Sequence, residues 1–213
     1  MSPEKTTCVH AMSRCKRNII LFLCLPALAF LVLIDNICIK HKWRYQPSEY
    51  NQARVADSQK YHTGTFAVIN IVDGDTLDID TPDGRSEHTR IRLLGVDAPE
   101  KTTESGAMYF AAEATEFVKK AAFGKQVEIY LDQTNETRGK YGRLLAYVKL
   151  PDGRFLNEIL LSGGFAYADQ RFHHSFYNKY KQLESRARTG SKGLWQNITP
   201  DQYPEWLRER SQL

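Results

Sequence analysis

The amino-acid sequence predicts an α+β protein in which five β-strands form a small barrel with helices packed on it. Five segments rich in β-branched and aliphatic residues are separated by turn signals such as Asp-Gly and Pro-Asp-Gly. Two longer segments repeat their apolar residues with the period of an α-helix. The 213 residues are 42% hydrophobic and 25% charged, which is typical of a globular protein and excludes a largely disordered chain.

The predicted strands follow in chain order from alternating apolar residues between turns. They cover Thr63–Val72, Thr76–Asp80, Thr89–Val96, Gln126–Leu131 and Leu144–Leu150. In the second strand Asp78 and Asp80 alternate with apolar residues, which predicts that both carboxylates face solvent. In the third strand Arg90 and Arg92 alternate with apolar residues in the same way.

The predicted helices are Glu104–Phe123, Phe155–Leu161 and Ser175–Arg188. In the first and third, apolar residues recur at helical spacing, so that they share one face. Gly124 and Gly190 stand directly after these two patterns, where glycine commonly ends a helix.

An apolar segment near the N-terminus divides the chain. Ile19–Ile34 is uncharged and follows Arg14, Lys16 and Arg17. We interpret residues 19–39 as an uncleaved transmembrane anchor, preceded by a basic segment at residues 1–18. A cleaved secretory signal and a buried core helix are the alternatives. Residues 40–62 are then a polar linker, residues 63–197 the folded domain and residues 198–213 a C-terminal extension.

The net charge of +4 belongs to the residues that flank the apolar segment. Residues 45–213 carry 22 Lys and Arg against 23 Asp and Glu. Any affinity for nucleic acid must therefore come from the local placement of basic side chains. All the cysteines lie before the folded domain, which excludes disulfides and thiolate metal ligands there: Cys8, Cys15, Cys24 and Cys38.

Three short segments of the folded domain combine carboxylates with arginines: Val72–Thr76, Ile91–Glu100 and Lys140–Ala146. Asp75, Asp97 and Glu100 lie at strand ends or in turns, where oxygen ligands of a hard cation such as calcium are often found. Arg92 and Arg143 each offer a planar guanidinium that can bind two phosphate oxygens at once. This composition is typical of a metal-assisted site for phosphoryl chemistry, although each segment alone is also explained by hairpin turns and caps.

Two other polar features have a structural interpretation. Asp73 could enter an outer shell around a metal, but we favour a turn-forming role. His173 and His174 suggest a transition metal, but adjacent imidazoles point apart, so we favour a solvated loop.

Taken together, the three segments resemble the staphylococcal-nuclease (thermonuclease) family over roughly residues 64–206. Further matches lie at Asn157-Glu158, Gly164–Ala166, Glu184, Ala187, Gly193–Trp195 and Pro204–Trp206. The resemblance implies an OB-fold barrel with three helices. It also implies a calcium-dependent nuclease that hydrolyses DNA and RNA with low sequence specificity, prefers single strands and leaves 3′-phosphate ends.

The resemblance implies a role for each matching residue of the centre. Asp75 and Asp97 would bind one Ca²⁺ through their carboxylates, and Ala98 through its backbone carbonyl. Glu100 would orient or deprotonate the attacking water. Arg92 and Arg143 would bind the phosphate and stabilise charge on its oxygens; these two and Glu100 are the implied catalytic residues.

The resemblance also implies contacts to the rest of the substrate. Lys140 and Tyr141 match positions that contact a terminal phosphate of a bound nucleotide. An aromatic residue would stack on a base, and the spacing leaves Tyr167, Phe172 and Tyr177 as alternatives. The chain departs from the family at Ala98, where the best-known member has threonine, and at Gly139, where the family has aspartate.

Other classes of function remain open at this point. OB barrels also bind nucleic acid without cutting it, so a non-catalytic binding module is the rival, and a membrane-tethered structural protein with a vestigial site is a third. The presence of all five carboxylate and arginine side chains favours catalysis. We expect a monomer without a specific protein partner. The anchor would hold the domain outside the cytoplasm, where calcium is abundant, or the domain would be secreted or periplasmic after signal cleavage.

Overall fold

The computed structural model describes residues 51–104 and 106–211. The predicted basic segment, the predicted anchor at residues 19–39 and residues 40–50 of the predicted linker lie outside these residues. None of the described helices combines the length and the apolar character that crossing a membrane requires.

Five strands close into a barrel, as the sequence predicts. They are β1 (Thr65–Ile71), β2 (Thr76–Ile79), β3 (Thr89–Leu93), β5 (Gln126–Tyr130) and β6 (Leu144–Lys149). Their order around the barrel is β1-β2-β3-β6-β5, and β5 pairs with β1 to close it. The pairs are antiparallel except β3 with β6, which is parallel. A separate two-stranded sheet pairs β4 (Val96–Asp97) with β7 (Tyr167–Ala168).

The barrel interior is filled by aliphatic side chains from alternate positions of the strands. Leu77, Ile91 and Ile129 have no exposed surface. On β3 the intervening Arg90 and Arg92 are not part of this core, as the period of two predicts. The two arginines therefore share the outer face of the strand that leads towards β4.

The prediction that Asp78 faces solvent is wrong, whereas Asp80 is exposed. The side chain of Asp78 is only 2% exposed because neighbouring side chains cover it. Arg90 donates to both of its oxygens, from Nε at 2.8 Å and from Nη2 at 3.1 Å. Asn70 donates a further hydrogen bond at 3.0 Å. These charge-assisted bonds offset the cost of removing the carboxylate from water.

The described helices are α1 (residues 51–61), α2 (Ala111–Ala122), α3 (Leu156–Gly163), α4 (Tyr177–Thr189) and α5 (Glu205–Ser211). Short 3₁₀ turns lie at Gly193–Gln196 and Pro200–Gln202. The three predicted helices correspond to α2, α3 and α4. Helix α2 begins later than Glu104 because Phe110 has a φ of 69°, a left-handed backbone conformation that an α-helix excludes.

The predicted third strand is interrupted at Gly95, which separates β3 from β4. Gly95 has a φ of 74°, and a Cβ there would lie 2.3 Å from Nε2 of His174, so the position requires glycine. His174 is buried, and its Nδ1 lies 3.0 Å from the hydroxyl of Tyr147. The solvated-loop prediction is therefore wrong for His174, although His173 is exposed. Burial lowers the pKa of His174.

The folded domain extends further than predicted at both ends. Helix α1 occupies residues that we assigned to the linker. Its last residue, Tyr61, is fully buried, and its hydroxyl lies 3.0 Å from Oγ1 of Thr89. In the predicted C-terminal extension, Trp206 and Leu207 pack against the cluster that contains Trp195. Helix α1 was missed because it exposes a polar face and buries few side chains, which leaves no apolar period to read.

Candidate active site

Asp75 stands directly before β2 and is held by the loop that follows β4. Its Oδ2 accepts the backbone N–H of Ala98 at 2.7 Å, and its Oδ1 accepts the hydroxyl of Thr76 at 3.0 Å. This close approach requires Gly74, because a Cβ there would lie 2.6 Å from Cβ of Ala98. The carboxylate of Asp73 accepts the N–H of Asp75 at 3.0 Å, which agrees with its turn-forming role.

Arg92 joins the two aspartates that the sequence assigns to a metal. Its Nη2 donates to Oδ1 of Asp97 at 2.7 Å, and its Nη1 forms an ion pair with Oδ2 of Asp75. The side chain is only 14% exposed. Burial lowers the pKa of Arg92, and the charges of Asp97 and Asp73 oppose this change. A guanidinium stays charged in proteins, so a permanent cation lies between the two carboxylates.

Asp97 accepts two more hydrogen bonds, from residues that the sequence did not assign to the site. Nη2 of Arg171 donates to Oδ1 at 2.9 Å, and Nε1 of Trp206 donates to Oδ2 at 2.8 Å. Arg171 also binds Asp169, and its guanidinium lies 5.1 Å from the centre of the Trp206 ring. The sequence offered one signal for Trp206, the match at Pro204–Trp206, and none for Arg171.

Glu100 follows Pro99 and is exposed. The carbonyl oxygen of Glu100 accepts the N–H of Met108 at 2.9 Å, which fixes the backbone. Although the residue as a whole is exposed, partial desolvation of its carboxyl raises the pKa of Glu100, and the negative charges of Asp73 and Asp97 raise it further. Arg92 and Arg143 act in the opposite direction.

Arg143, Lys140 and Tyr141 lie on the loop between β5 and β6. Nε of Arg143 is buried and has no hydrogen-bond partner within the part of the chain that the structure describes. Tyr141 is 76% exposed. Lys140 Nζ and the Arg143 guanidinium lie 5.5 Å and 5.7 Å from the centre of its ring. A buried donor without a partner beside an exposed aromatic ring suits a phosphate and its attached nucleoside.

The structure distinguishes the three aromatic residues that were alternatives for base stacking. Tyr167 is buried, at 1% exposure, in the cluster around Trp195. Tyr177 is half-buried, and its ring lies 4.5 Å from that of His173. Phe172 is 63% exposed and follows Arg171, which binds Asp97. Phe172 is thus the available ring next to the site.

The side chains at the site set which kind of metal it can hold. Among residues 51–104 and 106–211, no three His, Cys, Asp or Glu side chains are grouped so that they could hold a metal ion. Two carboxylates, Asp75 and Asp97, are joined through Arg92, and the N–H of Ala98 donates to Asp75. Two carboxylates with a backbone carbonyl fit a hard cation that takes its other ligands from water and substrate.

The fold and the site together define a class of protein: a small closed barrel whose outer face carries arginines and carboxylates suited to phosphate chemistry. Arg92 contacts Asp75 and Asp97 directly, and the charges of Arg92 and Arg143 oppose the raised pKa of Glu100. Lys140 and Tyr141 lie on the same loop as Arg143.

Comparison with known proteins specifies the family. Residues 90–197 match the family described as "Staphylococcal nuclease homologue". The chain is 33% identical over 135 residues to a thermonuclease of Staphylococcus hyicus, covering 62% of this chain and 76% of the relative. It is 36% identical to a thermonuclease of Staphylococcus intermedius (63% and 75%) and 31% identical to an uncharacterized endonuclease of Escherichia coli (66% and 81%). The chain belongs to the staphylococcal nuclease family.

Proposed function

We propose that this chain is a calcium-dependent nuclease that hydrolyses DNA and RNA phosphodiesters with low sequence specificity. Its family membership supports hydrolysis of nucleic acid as the general activity. One observation carries the proposal furthest: the guanidinium of Arg92 is held between the carboxylates of Asp75 and Asp97, with one terminal nitrogen on each. A fixed cation that can bind a phosphate thus stands beside two carboxylates that suit a metal. The family resemblance adds Arg143 as a second cation and Glu100 as the group that accepts a proton from water.

Arg92 and Arg143 bind the non-bridging oxygens of the scissile phosphate. Arg92 is oriented by its contacts to Asp75 and Asp97, so its position is fixed before the substrate arrives. Arg143 has a buried donor free for an oxygen. Donors that are already in place stabilise the charge of the transition state without the cost of reorganisation.

Glu100 orients the attacking water and accepts its proton. A carboxyl with a raised pKa is a better general base than an ordinary glutamate, provided that it is still ionised at the working pH. The leaving oxygen is the 5′ oxygen, so that the product keeps a 3′-phosphate. The family resemblance supports this polarity.

Calcium, when bound, supplies a positive charge that polarises the phosphate. Asp75 and Asp97 would hold it through their carboxylates and Ala98 through its carbonyl oxygen. The alanine at position 98 suits this role, because the proposed ligand is a backbone atom. Its N–H donates to Asp75, which holds the backbone of Ala98 beside that carboxylate.

Single-stranded substrates are preferred because the exposed rings of Tyr141 and Phe172 can stack only on unpaired bases. Lys140, next to Tyr141, contributes a further phosphate contact. Neither the arginines nor the lysine contacts a base edge in this proposal, so the sequence specificity is low.

The test is cleavage of a single-stranded DNA and of an RNA oligonucleotide by the full chain purified in detergent. Calcium is added, or removed with EGTA, between pH 7 and pH 10. We expect cleavage only with calcium, and products that accept a new 3′ nucleotide only after phosphatase treatment. Binding without cleavage at every pH would indicate the rival function, a non-catalytic binding module.

We further propose that the domain lies outside the cytoplasm, held by residues 19–39 or released after their cleavage. A site with few carboxylates binds calcium weakly, and this favours a compartment rich in calcium. Digestion of intact cells by an added protease tests the orientation. Protection of the domain from that protease would contradict it.

A further inference from the structure

Helix α1 precedes the barrel and lies outside residues 90–197, the segment that matches the family. Two of its residues, Asp57 and Tyr61, are buried, at 8% and 0% exposure. They are four positions apart, so they lie on one face of the helix, one turn from each other. This face is directed at the loop between β5 and β6.

Asp57 binds the middle of that loop through three hydrogen bonds. Arg138 donates from Nε to Oδ2 at 2.8 Å and from Nη2 to Oδ1 at 2.6 Å, which is a bidentate pair. Thr137 donates its hydroxyl to Oδ2 at 2.6 Å. The guanidinium also lies 5.5 Å from the centre of the Tyr61 ring. A bidentate arginine–carboxylate pair fixes direction as well as distance.

The other side of the same guanidinium holds two more parts of the protein. Nη2 of Arg138 donates to Oδ1 of Asp83, in the turn between β2 and β3, at 3.1 Å, and Nη1 also contacts this carboxylate. Nη1 donates to the carbonyl oxygen of Gly142 at 3.1 Å. The hydrogen bonds that Arg138 donates to Asp57 and Asp83 raise its pKa, against the effect of burial. One cation thus joins α1, a turn of the barrel and the tip of the loop.

The carbonyl of Gly142 immediately precedes Arg143, so Arg138 acts on the residue next to a proposed phosphate-binding side chain. The loop has its own backbone bonds: Gly139 N–H to Arg143 O at 2.9 Å, and Gly142 N–H to Gly139 O at 2.8 Å. These bonds set the shape of the loop. The hydrogen bond from the N–H of Leu145 to the carbonyl oxygen of Thr137, at 2.8 Å, joins the loop to β6, and Arg138 joins it to α1 and to the turn of Asp83.

We propose that α1 positions Arg143 for substrate through the Asp57–Arg138 ion pair, which makes Asp57 and Arg138 positioning residues for phosphate binding. The inference rests on the proposed function in one respect, that Arg143 binds the phosphate of nucleic acid. The inference adds helix α1, which the sequence analysis assigned to a linker, to the parts of the protein that contribute to substrate binding.

The first test is binding of a fluorescent single-stranded DNA oligonucleotide to the full chain in EGTA at low salt, where calcium-dependent cleavage does not occur. Asp57→Asn is expected to weaken binding by about tenfold. This direction is informative, because removal of a negative charge by itself would strengthen binding to DNA. Asp152→Asn is the matched control: it removes the same charge from the exposed pair with Arg154 and should bind at least as tightly as the wild type.

A double-mutant cycle shows whether Asp57 acts through Arg143. Arg143→Gln should weaken binding, and adding Asp57→Asn to it should cause little further loss, because both changes remove the same contact. If the double variant loses affinity by the product of the two single-variant factors, the inference is overturned, since Asp57 would then act elsewhere. The inference is also overturned if Asp57→Asn binds the oligonucleotide as tightly as the wild type, or if the wild type does not bind it.

Hydrogen exchange gives a readout independent of substrate. In Asp57→Asn the amides of Gly139 and Gly142 should exchange at least tenfold faster, while those of β5 keep their protection. Equal exchange in both proteins would overturn the inference. If instead the binding cycle and the exchange agree with it but no cleavage occurs with calcium, the inference stands and the proposed nuclease function fails.

Discussion

Arg92 contacts Asp75 with one nitrogen and Asp97 with another, and a lysine cannot reproduce this pair of contacts. The ammonium of a lysine is a single point of charge. It would bind one carboxylate or the phosphate, but it could not contact both carboxylates and the phosphate together. Arg92→Lys is therefore expected to lower kcat by about 10²–10³-fold, or about 2.7–4 kcal/mol. Initial rates on a single-stranded oligonucleotide with saturating calcium measure it.

Arg90→Lys is the matched control for that change. Arg90 lies two residues earlier on the same face of β3 and also binds an aspartate with two nitrogens. Arg90→Lys should lower the melting temperature to a similar extent as Arg92→Lys and leave kcat within a few-fold of the wild type. If Arg92→Lys keeps a kcat close to that of Arg90→Lys, Arg92 is not the phosphate-binding residue.

Glu184 shows how a single residue sets the pH dependence of stability. It is 7% exposed, and burial raises its pKa to about 7, although the charge of Arg188 opposes this. Because the folded pKa lies above the unfolded value, folding favours the protonated form. The contribution of Glu184 to stability is full below the unfolded pKa of about 4.3 and is lost as the pH rises through about 7.

Glu184→Gln is expected to remove this loss, because the amide does not ionise. Relative to the wild type, the variant should gain stability between pH 5 and pH 8, by up to about 3 kcal/mol for a shift of this size. Urea unfolding at the two pH values measures the difference. Parallel changes of stability in both proteins would show that Glu184 does not titrate in this range.

At the scale of elements, α5 acts on the centre although it is far from it in the chain. Trp206 donates to Asp97 across 109 residues, and Arg171 lies against its ring. A carboxylate oxygen can accept more than one partner, so this bond orients Asp97 and leaves room for a cation. Such outer contacts commonly tune metal affinity.

Trp206→Phe should therefore weaken calcium binding, by roughly tenfold, in titration calorimetry. Trp195→Phe is the control, since Trp195 lies in the same cluster but its Nε1 has no hydrogen-bond partner within residues 51–104 and 106–211. It should bind calcium like the wild type. Equal affinities in all three proteins would mean that the bond to Asp97 has no role in metal binding.

The elements that the sequence predicted well are those with a local signal. Alternation and turns gave the five barrel strands, and the helical period gave α2, α3 and α4. The sequence singled out Asp75, Arg92 and Asp97 because they lie in short motifs, and the structure brings these three side chains together. Contacts across the chain have no such signal: Arg138 meets Asp57 across 81 residues, and Asp78 is buried by Arg90 from the next strand. Burial of these polar groups depends on partners that only the fold brings near.

At the scale of the whole molecule, the folded domain is close to electrically neutral, and the basic excess lies in residues 1–44. Long-range attraction to nucleic acid is therefore weak, and binding depends on the few arginines of the site. A cation that joins Asp75 and Asp97 would connect the start of β2 with β4, two parts of the molecule that Arg92 already joins.

Calcium is thus expected to stabilise the entire domain, because it binds the folded state and not the unfolded one. At a hundred times the dissociation constant the gain is about 2.7 kcal/mol, which raises the melting temperature by roughly 5–10 °C for a domain of this size. Thermal unfolding with increasing calcium measures it, and Asp97→Asn should reduce the increase sharply. An increase that is equal in Asp97→Asn would place the calcium elsewhere, and no increase in the wild type at any calcium concentration would contradict calcium as the metal of this nuclease.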